Sequence, residues 1–189
     1  MAVRLFLGVW LAIVATAAVT QAGTQAKPPP KGFKVLGHAN PGGGYTADVV
    51  GERLYAYLSS RKGANDCPAQ GVRVYDVADP RRPRHIATFA RLAGTWTEKT
   101  IVRRVKTSGF DGVLAVTSFQ ACRDGFGGFG LFDVTKPAHP RRLALVRTQP
   151  RGSHEIWLAV ARGHAWVYTA EAAAEFALTS PLPAAEEIV

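Results

Sequence analysis

One string of residues occurs twice in this chain and limits what the chain can fold into. VYDVADPRRPR spans residues 74–84 and LFDVTKPAHPRR spans residues 131–142, so their aspartates lie 133 − 76 = 57 residues apart. An Asp at the end of a strand accepts backbone N–H bonds from the following turn, and a Pro four residues later has no N–H and ends the ladder. The repeat therefore predicts two equivalent strand–turn units, with structural roles for Asp76, Pro80, Asp133 and Pro137.

Strand-like runs of aliphatic and aromatic residues surround both strings. RLYAYLSS (53–60) and GVLAVTSF (112–119) precede them, while HEIWLAVARGHAWVYTA (154–170) is a partial third copy. Nothing before residue 170 has a helical period, and Pro and Gly separate the runs. The predicted strands are 33–38, 46–50, 53–58, 71–77, 85–90, 99–106, 112–118, 128–134, 142–147, 154–160 and 164–169.

Self-similarity of this length, with four strands per unit, is typical of a blade repeat, in which neighbouring units cover each other's hydrophobic faces. We therefore predict an all-β fold, a β-propeller-like repeat of four-stranded antiparallel blades with about two full blades and a partial third. Unit one covers about 33–83, unit two about 84–140 and unit three 141–170, and residues 171–189 form an irregular tail. Because propellers close with four to eight blades, the count predicts either a truncated longer protein or self-association that closes the ring.

The N-terminus has the features of a signal peptide. A positive start, MAVR, precedes the apolar run LFLGVWLAIVATAAV and the small residues that favour cleavage after Ala22 or Ala26. The run is shorter than the roughly 20 residues of a spanning helix. We predict a signal peptide over residues 1–26, no transmembrane span after cleavage, and a secreted, periplasmic or cell-surface location.

The chain is basic, with a formal net charge of +9, and Arg4 is the one charged residue that cleavage would remove, leaving +8. Such a balance favours polyanionic partners, and export excludes intracellular nucleic acid. Both strings end in arginines, and if both connections emerge on one face, that face could dock on anionic envelope polymers. The alternative is a set of solvated loop charges. The arginines are Arg81, Arg82, Arg84, Arg141 and Arg142.

Two cysteines in an exported chain could form one disulfide. Cys67 and Cys122 both lie in loop-like stretches just before the two Asp-Val strings. Bridging needs their Cα atoms within about 7 Å, so a Cys67–Cys122 bridge and two free thiols both stay open.

Carboxylates near the starts of corresponding strands suggest a cation site. Asp48, Glu98 and Glu155, with His154 beside the last, would lie at one end of superposed blades, and hard cations prefer oxygen ligands. The alternative is a ring of solvated polar residues. There is no zinc-ligand spacing, no phosphate loop leading into a helix and no nucleophile elbow, so no catalytic residue is predicted. A divalent cation is the one cofactor this pattern would accommodate.

VYDVADPRRP and LFDVTKPAHP, each preceded by a glycine-bearing strand start (Gly71 and Gly130), resemble the LVIVD repeat of exported bacterial β-propeller proteins. The resemblance covers about residues 33–170 and implies a propeller at or outside the cell envelope. It implies no established reaction. The expected function is a non-enzymatic binding or scaffolding module with polymer or protein partners. The alternatives are a metal-dependent hydrolase-like enzyme with its site at the channel mouth, and a truncated fragment without a function of its own.

Overall fold

The two repeated strings end the third strands of two four-stranded antiparallel sheets. The computed structural model describes residues 32–39, 45–61, 71–122, 125–148, 151–171 and 186–188, with the backbone alone described at 45–50, 60–61 and 186–188. Residues 1–34 form one unit and residues 35–189 another, which holds every strand named below. The predicted signal peptide lies outside the described residues.

Each sheet is built from strands that are consecutive in the chain. Sheet A contains β1 (Tyr45–Glu52), β2 (Tyr55–Arg61), β3 (Val72–Asp76) and β4 (Arg84–Phe89), in that order. Sheet B contains β5 (Thr95–Lys106), β6 (Asp111–Ala121), β7 (Gly128–Asp133) and β8 (Arg141–Arg147). Sheet C contains β9 (Ser153–Ala161), β10 (His164–Glu171) and β11 (Glu186–Ile188), in the order β11-β10-β9.

The predicted all-β fold is confirmed, since the described residues form antiparallel sheets and no helix. None of these residues belongs to a helix long and apolar enough to cross a membrane. Alternating and β-branched runs account for the strands, and the Asp-Val-turn-Pro string accounts for each return between the third and fourth strands.

The sheets are one strand out of phase with the predicted units. The strand after each string folds back onto the strand before it, so β4 pairs with β3 and β8 pairs with β7. Sheet A therefore runs over residues 45–89 and sheet B over residues 95–147. Residues 33–38, predicted to be a strand, form none, and β11 lies within the segment predicted to be an irregular tail.

Sheet B is buried on both faces, as the burial along β6 shows. Val113 and Ala115 face sheet A, while Leu114 and Val116 between them face sheet C. On the side of sheet A this core contains Tyr57, Val72, Val74 and Phe89; on the side of sheet C it contains Ile156, Leu158, Ala165 and Val167. Because successive strand residues point to opposite faces, a near-continuous apolar run such as GVLAV belongs to a strand that is covered on both sides.

Neighbouring sheets approach most closely at their first two strands. The backbone of β5 lies against β1 and β2, and that of β9 lies against β5 and β6. Farther out, aromatic rings fill the space between sheets A and B, with the Phe89 and Phe132 ring centroids 5.0 Å apart and Phe119 beside Phe132. Full burial of such a side chain contributes about 1.5–3 kcal/mol, so these rings supply much of the attraction between the two sheets.

Candidate functional site

The two repeated aspartates make the same hydrogen bonds. The backbone N–H of Ala78 donates to Asp76 Oδ1 (3.0 Å), and that of Thr135 donates to Asp133 Oδ1 (3.0 Å). Each second carboxylate oxygen accepts from an arginine eight residues on, at 2.9 Å from Arg84 and 3.2 Å from Arg141. The carboxylates thus hold both the turn and the first residue of the fourth strand.

These contacts lower the pKa of both carboxyl groups. For Asp76 the main cause is the hydrogen bond from the Ala78 amide, followed by the one from Arg84. For Asp133, partial desolvation raises the pKa, but hydrogen bonds from the Thr135 hydroxyl and amide and from Arg141 outweigh it. Both carboxylates are therefore better stabilised as anions in the folded protein than in the unfolded chain.

The five predicted arginines are exposed; Arg81 and Arg82 lie in the turn after β3, and the other three begin the strands that follow the two turns, Arg84 in β4 and Arg141 and Arg142 in β8. Of this set, Arg84 and Arg141 pair with the aspartates, which the sequence analysis did not anticipate. The sequence does contain a signal for these ion pairs, because an Asp and an Arg recur eight residues apart in both strings. The turns lie at the same end of the sheets, which we call the turn end.

The opposite end, where the first strands start, carries a β-bulge in every sheet. Register shifts occur between Thr46 and Asp48 in β1, between Thr97 and Thr100 in β5, and at His154 in β9, since Ser153 pairs with Glu171 but Glu155 pairs with Ala170. Bulges re-aim side chains and are over-represented beside functional sites. We call this the bulge end.

The register places the predicted cation ligands at this end but not at one equivalent position. Asp48 and Glu155 follow the bulge at the position that Lys99 occupies in sheet B, while Glu98 matches His154. Glu98 is 9% exposed, whereas His154 and Glu155 are exposed. The sequence pattern could not show this difference in register, because an extra bulged residue is invisible without its pairing partner.

Two serines that the sequence analysis did not single out join the bulges across the sheets. Ser59 Oγ donates to the carbonyl oxygen of Glu98, and Ser118 Oγ donates to that of His154 at 3.2 Å. Both serines are fully buried. They occupy the same position in RLYAYLSS and GVLAVTSF, so a serine common to both runs was the available signal.

Further polar contacts reinforce this seam between the sheets. Thr97 Oγ1 donates to the Gly71 carbonyl (3.1 Å), and Gln120 Nε2 lies 2.6 Å from His154 Nδ1. Near the end of β10, Glu171 accepts from the hydroxyls of Thr148 (2.7 Å) and Thr169 (3.0 Å). Buried polar groups are tolerated when they are hydrogen-bonded in this way, so the polar residues at the bulge end join neighbouring sheets through hydrogen bonds.

The structure brings no three metal-ligating side chains together among the residues it describes. The Asp48 side chain lies outside that set, and Glu98 is buried while His154 and Glu155 face outward. The cation site at Asp48, Glu98, His154 and Glu155 stays a prediction.

Cys122 is buried and disulfide-bonded. Cys67, the other cysteine of the chain, lies outside the described residues. The pairing of Cys67 with Cys122 stays a prediction.

No family model matches the sequence, and no curated protein matches it. Among solved structures, the chain is similar to "Crystal structure of putative exo-beta-1,3-galactanase from Bifidobacterium bifidum s17", with 14% identity and a TM-score of 0.45 over 71% of this chain and 48% of that chain. The chain thus spans about half the length of that structure. A likeness at this level does not assign the fold, which is assigned from the sheets and strand registers of this chain.

Proposed function

We propose that this protein is an exported propeller-type binding module of the LVIVD kind, and that its turn end binds anionic polymers of the cell envelope. Support for the architecture comes from the stack itself. Consecutive four-stranded sheets lie face to face, their first strands approach most closely, and aromatic rings fill the wider space farther out. These are the relations expected between neighbouring propeller blades.

The observation that carries the binding proposal is the recurrence of exposed arginines at the turn end of both four-stranded sheets. Arg81 and Arg82 belong to the turn after β3, and Arg142 follows the equivalent turn after β7. The Asp–Arg contacts fix each turn, so these guanidinium groups are presented from rigid positions. Arginine is suited to this role because its planar fork binds carboxylate and phosphate groups through two hydrogen bonds.

A matched pair of charge-reversal variants tests whether the position of the arginines matters. Arg81→Glu/Arg82→Glu changes the turn end, and Arg91→Glu/Arg151→Glu changes two exposed arginines away from it by the same total charge. Binding to dextran sulfate is measured by titration at several salt concentrations, with neutral dextran as the polymer control.

We expect the turn-end variant to bind at least about tenfold more weakly and to show a shallower salt dependence, since fewer screened contacts remain. The control variant should retain most of the affinity. Equal losses in the two variants would mean that net charge alone attracts the polymer and would overturn the proposal.

A further inference from the structure

The outer face of sheet C presents large aromatic side chains to solvent. Trp157 on β9 is 67% exposed, and Tyr168, which lies opposite it in register on β10, is 44% exposed. A sheet face in contact with water ordinarily carries polar side chains. A paired Trp and Tyr instead form an exposed apolar surface of the kind that marks an interaction site.

The same positions in sheet B are covered by the next sheet of the stack. The pair equivalent to Trp157 and Tyr168 is Ile101 and Val116, and both residues pack in the core between sheets B and C. In sheet A the residue equivalent to Val116 is Tyr57, which is 1% exposed beneath sheet B. The exposed face of sheet C is therefore the face that, in sheets A and B, receives another sheet.

On the opposite face of sheet A, the part of the chain whose side chains the structure describes exposes an apolar residue. The hydrogen bond from Val134 N to the Val113 carbonyl (2.9 Å) recurs as Val77 N to the Leu54 carbonyl (2.8 Å), so Leu54 is the counterpart of Val113. Val113 is buried against sheet A, whereas Leu54 is 57% exposed. Leu54 thus lies on the face of sheet A that would receive a preceding sheet.

We infer that sheet C of one copy of this chain docks on sheet A of a second copy, head to tail, and that two copies close one ring of six sheets. This inference rests on the propeller architecture of the proposed function. It continues a face-to-face apolar interface that is already present twice in the molecule, between sheets A and B and between sheets B and C. Tyr57 shares a core with Val113 and Ala115, and in the proposed contact Trp157 and Tyr168 would pack on the counterparts of those two residues, Leu54 and Ala56.

The proposed contact between sheet C of one copy and sheet A of the other should depend on apolar packing more than the contacts between sheets within one copy do. The position of Ser59 and Ser118 is occupied in sheet C by Ala170, which has no hydroxyl to donate to the next sheet. Trp157 should therefore be a dominant side chain at the contact, as large aromatics commonly are. Because Trp157 and Leu54 are largely exposed in one copy, changing either one should not prevent folding.

Analytical ultracentrifugation of protein expressed from the full 189-residue chain tests the inference through two variants, Trp157→Lys and Leu54→Lys. Ala138→Lys adds the same charge at an exposed turn position and is the control. Each test variant alters both contacts of a two-copy ring, so each should weaken the dimer on the order of 100-fold or more, since losing the aromatic anchor or placing a charge on the surface that receives it costs at least about tenfold per contact. Circular dichroism melts confirm that the variants remain folded.

Mixing the two variants identifies the faces that meet. A mixed dimer has one contact with both changes and one unchanged contact, so Trp157→Lys and Leu54→Lys together should form a dimer that neither forms alone. If Trp157→Lys breaks the dimer and Leu54→Lys leaves it intact, sheet C meets sheet C, and the head-to-tail inference is wrong. A wild-type monomer at all concentrations would overturn the docking, and if that monomer still binds dextran sulfate through its arginines, the proposed function would stand.

Discussion

At the scale of single residues, the repeated Asp is the most informative position in the chain. Asp76 and Asp133 each accept a turn amide and an arginine, and the folded protein lowers the pKa of both. A carboxyl group whose pKa is lower in the folded than in the unfolded state stabilises the fold at pH values above its ordinary pKa, about 4. That contribution is lost as the pH falls through the folded pKa.

The first prediction concerns acid stability. Asp76→Asn/Asp133→Asn should melt at a lower temperature than the wild type at pH 7, and the difference should shrink as the pH falls below about 4 because the wild-type carboxylates then become protonated. Melting temperatures from pH 7 to pH 2 measure this. Arg84→Gln/Arg141→Gln should keep most of the pH dependence at Asp76, where the turn amide is the main cause. Parallel curves for the wild type and the Asn variant would refute the account.

At the scale of elements, sheets A and B each depend on a glycine at the start of the third strand, Gly71 directly before β3 and Gly128 as the first residue of β7. Gly71 has φ of +69° and Gly128 has φ of +144°, a region that other residues rarely adopt. A Cβ at Gly71 would collide with the Phe89 carbonyl oxygen on β4, and one at Gly128 would collide with the Val146 carbonyl oxygen on β8. These two glycines are 128 − 71 = 57 residues apart, so Gly128, and not Gly130, is the counterpart of Gly71.

The second prediction concerns the backbone angle and the close approach at Gly128. Gly128→Ala should lower the free energy of unfolding by about 2 kcal/mol or more, since it combines left-handed strain with a clash against the neighbouring strand. Gly109→Ala, where a Cβ meets nothing within 4 Å, should change it by less than about 0.5 kcal/mol. Urea unfolding of the two variants measures the difference, and similar values for both would contradict the assigned role of Gly128.

At the scale of the whole molecule, stability comes from contacts between sheets. The two cores, the aromatic rings between sheets A and B, and the serine bonds at the bulge end all join neighbouring sheets. Cys122 follows β6 of sheet B, and Cys67 falls in the connection between β2 and β3 of sheet A. A Cys67–Cys122 disulfide would therefore fasten the first two sheets together.

The third prediction is that these two cysteines form that bridge. Peptide mass spectrometry without reductant should find residues 67 and 122 in one linked peptide pair. The bond would close a segment of 122 − 67 = 55 residues, and in the chain-entropy account its loss costs roughly 4 kcal/mol. Cys67→Ser/Cys122→Ser should then unfold at a much lower urea concentration. Detection of a free thiol at Cys67 in the native protein would exclude the bridge.

The sequence by itself determined the fold class and the repeat. Asp-Val strings, alternating apolar runs and Gly/Pro turns are local signals, and each acts through hydrogen bonds and backbone angles within a few residues of itself. They also located the strands of sheets A and B and the turns that precede the fourth strands, but they predicted a strand at 33–38 that does not form. A strand also needs a neighbouring edge to pair with, and no local signal at 33–38 supplies one.

The tertiary structure alone decided which strands share a sheet, which faces are covered and what the polar residues do. β4 and β8 fold back onto the strands before them, so each belongs to the earlier sheet. The bulges shift Glu98 to a different position from Asp48 and Glu155, and Ser59 and Ser118 acquire their role from carbonyls 39 and 36 residues away along the chain. These outcomes depend on register and on which sheet lies opposite, and both are set by burial between segments distant in sequence.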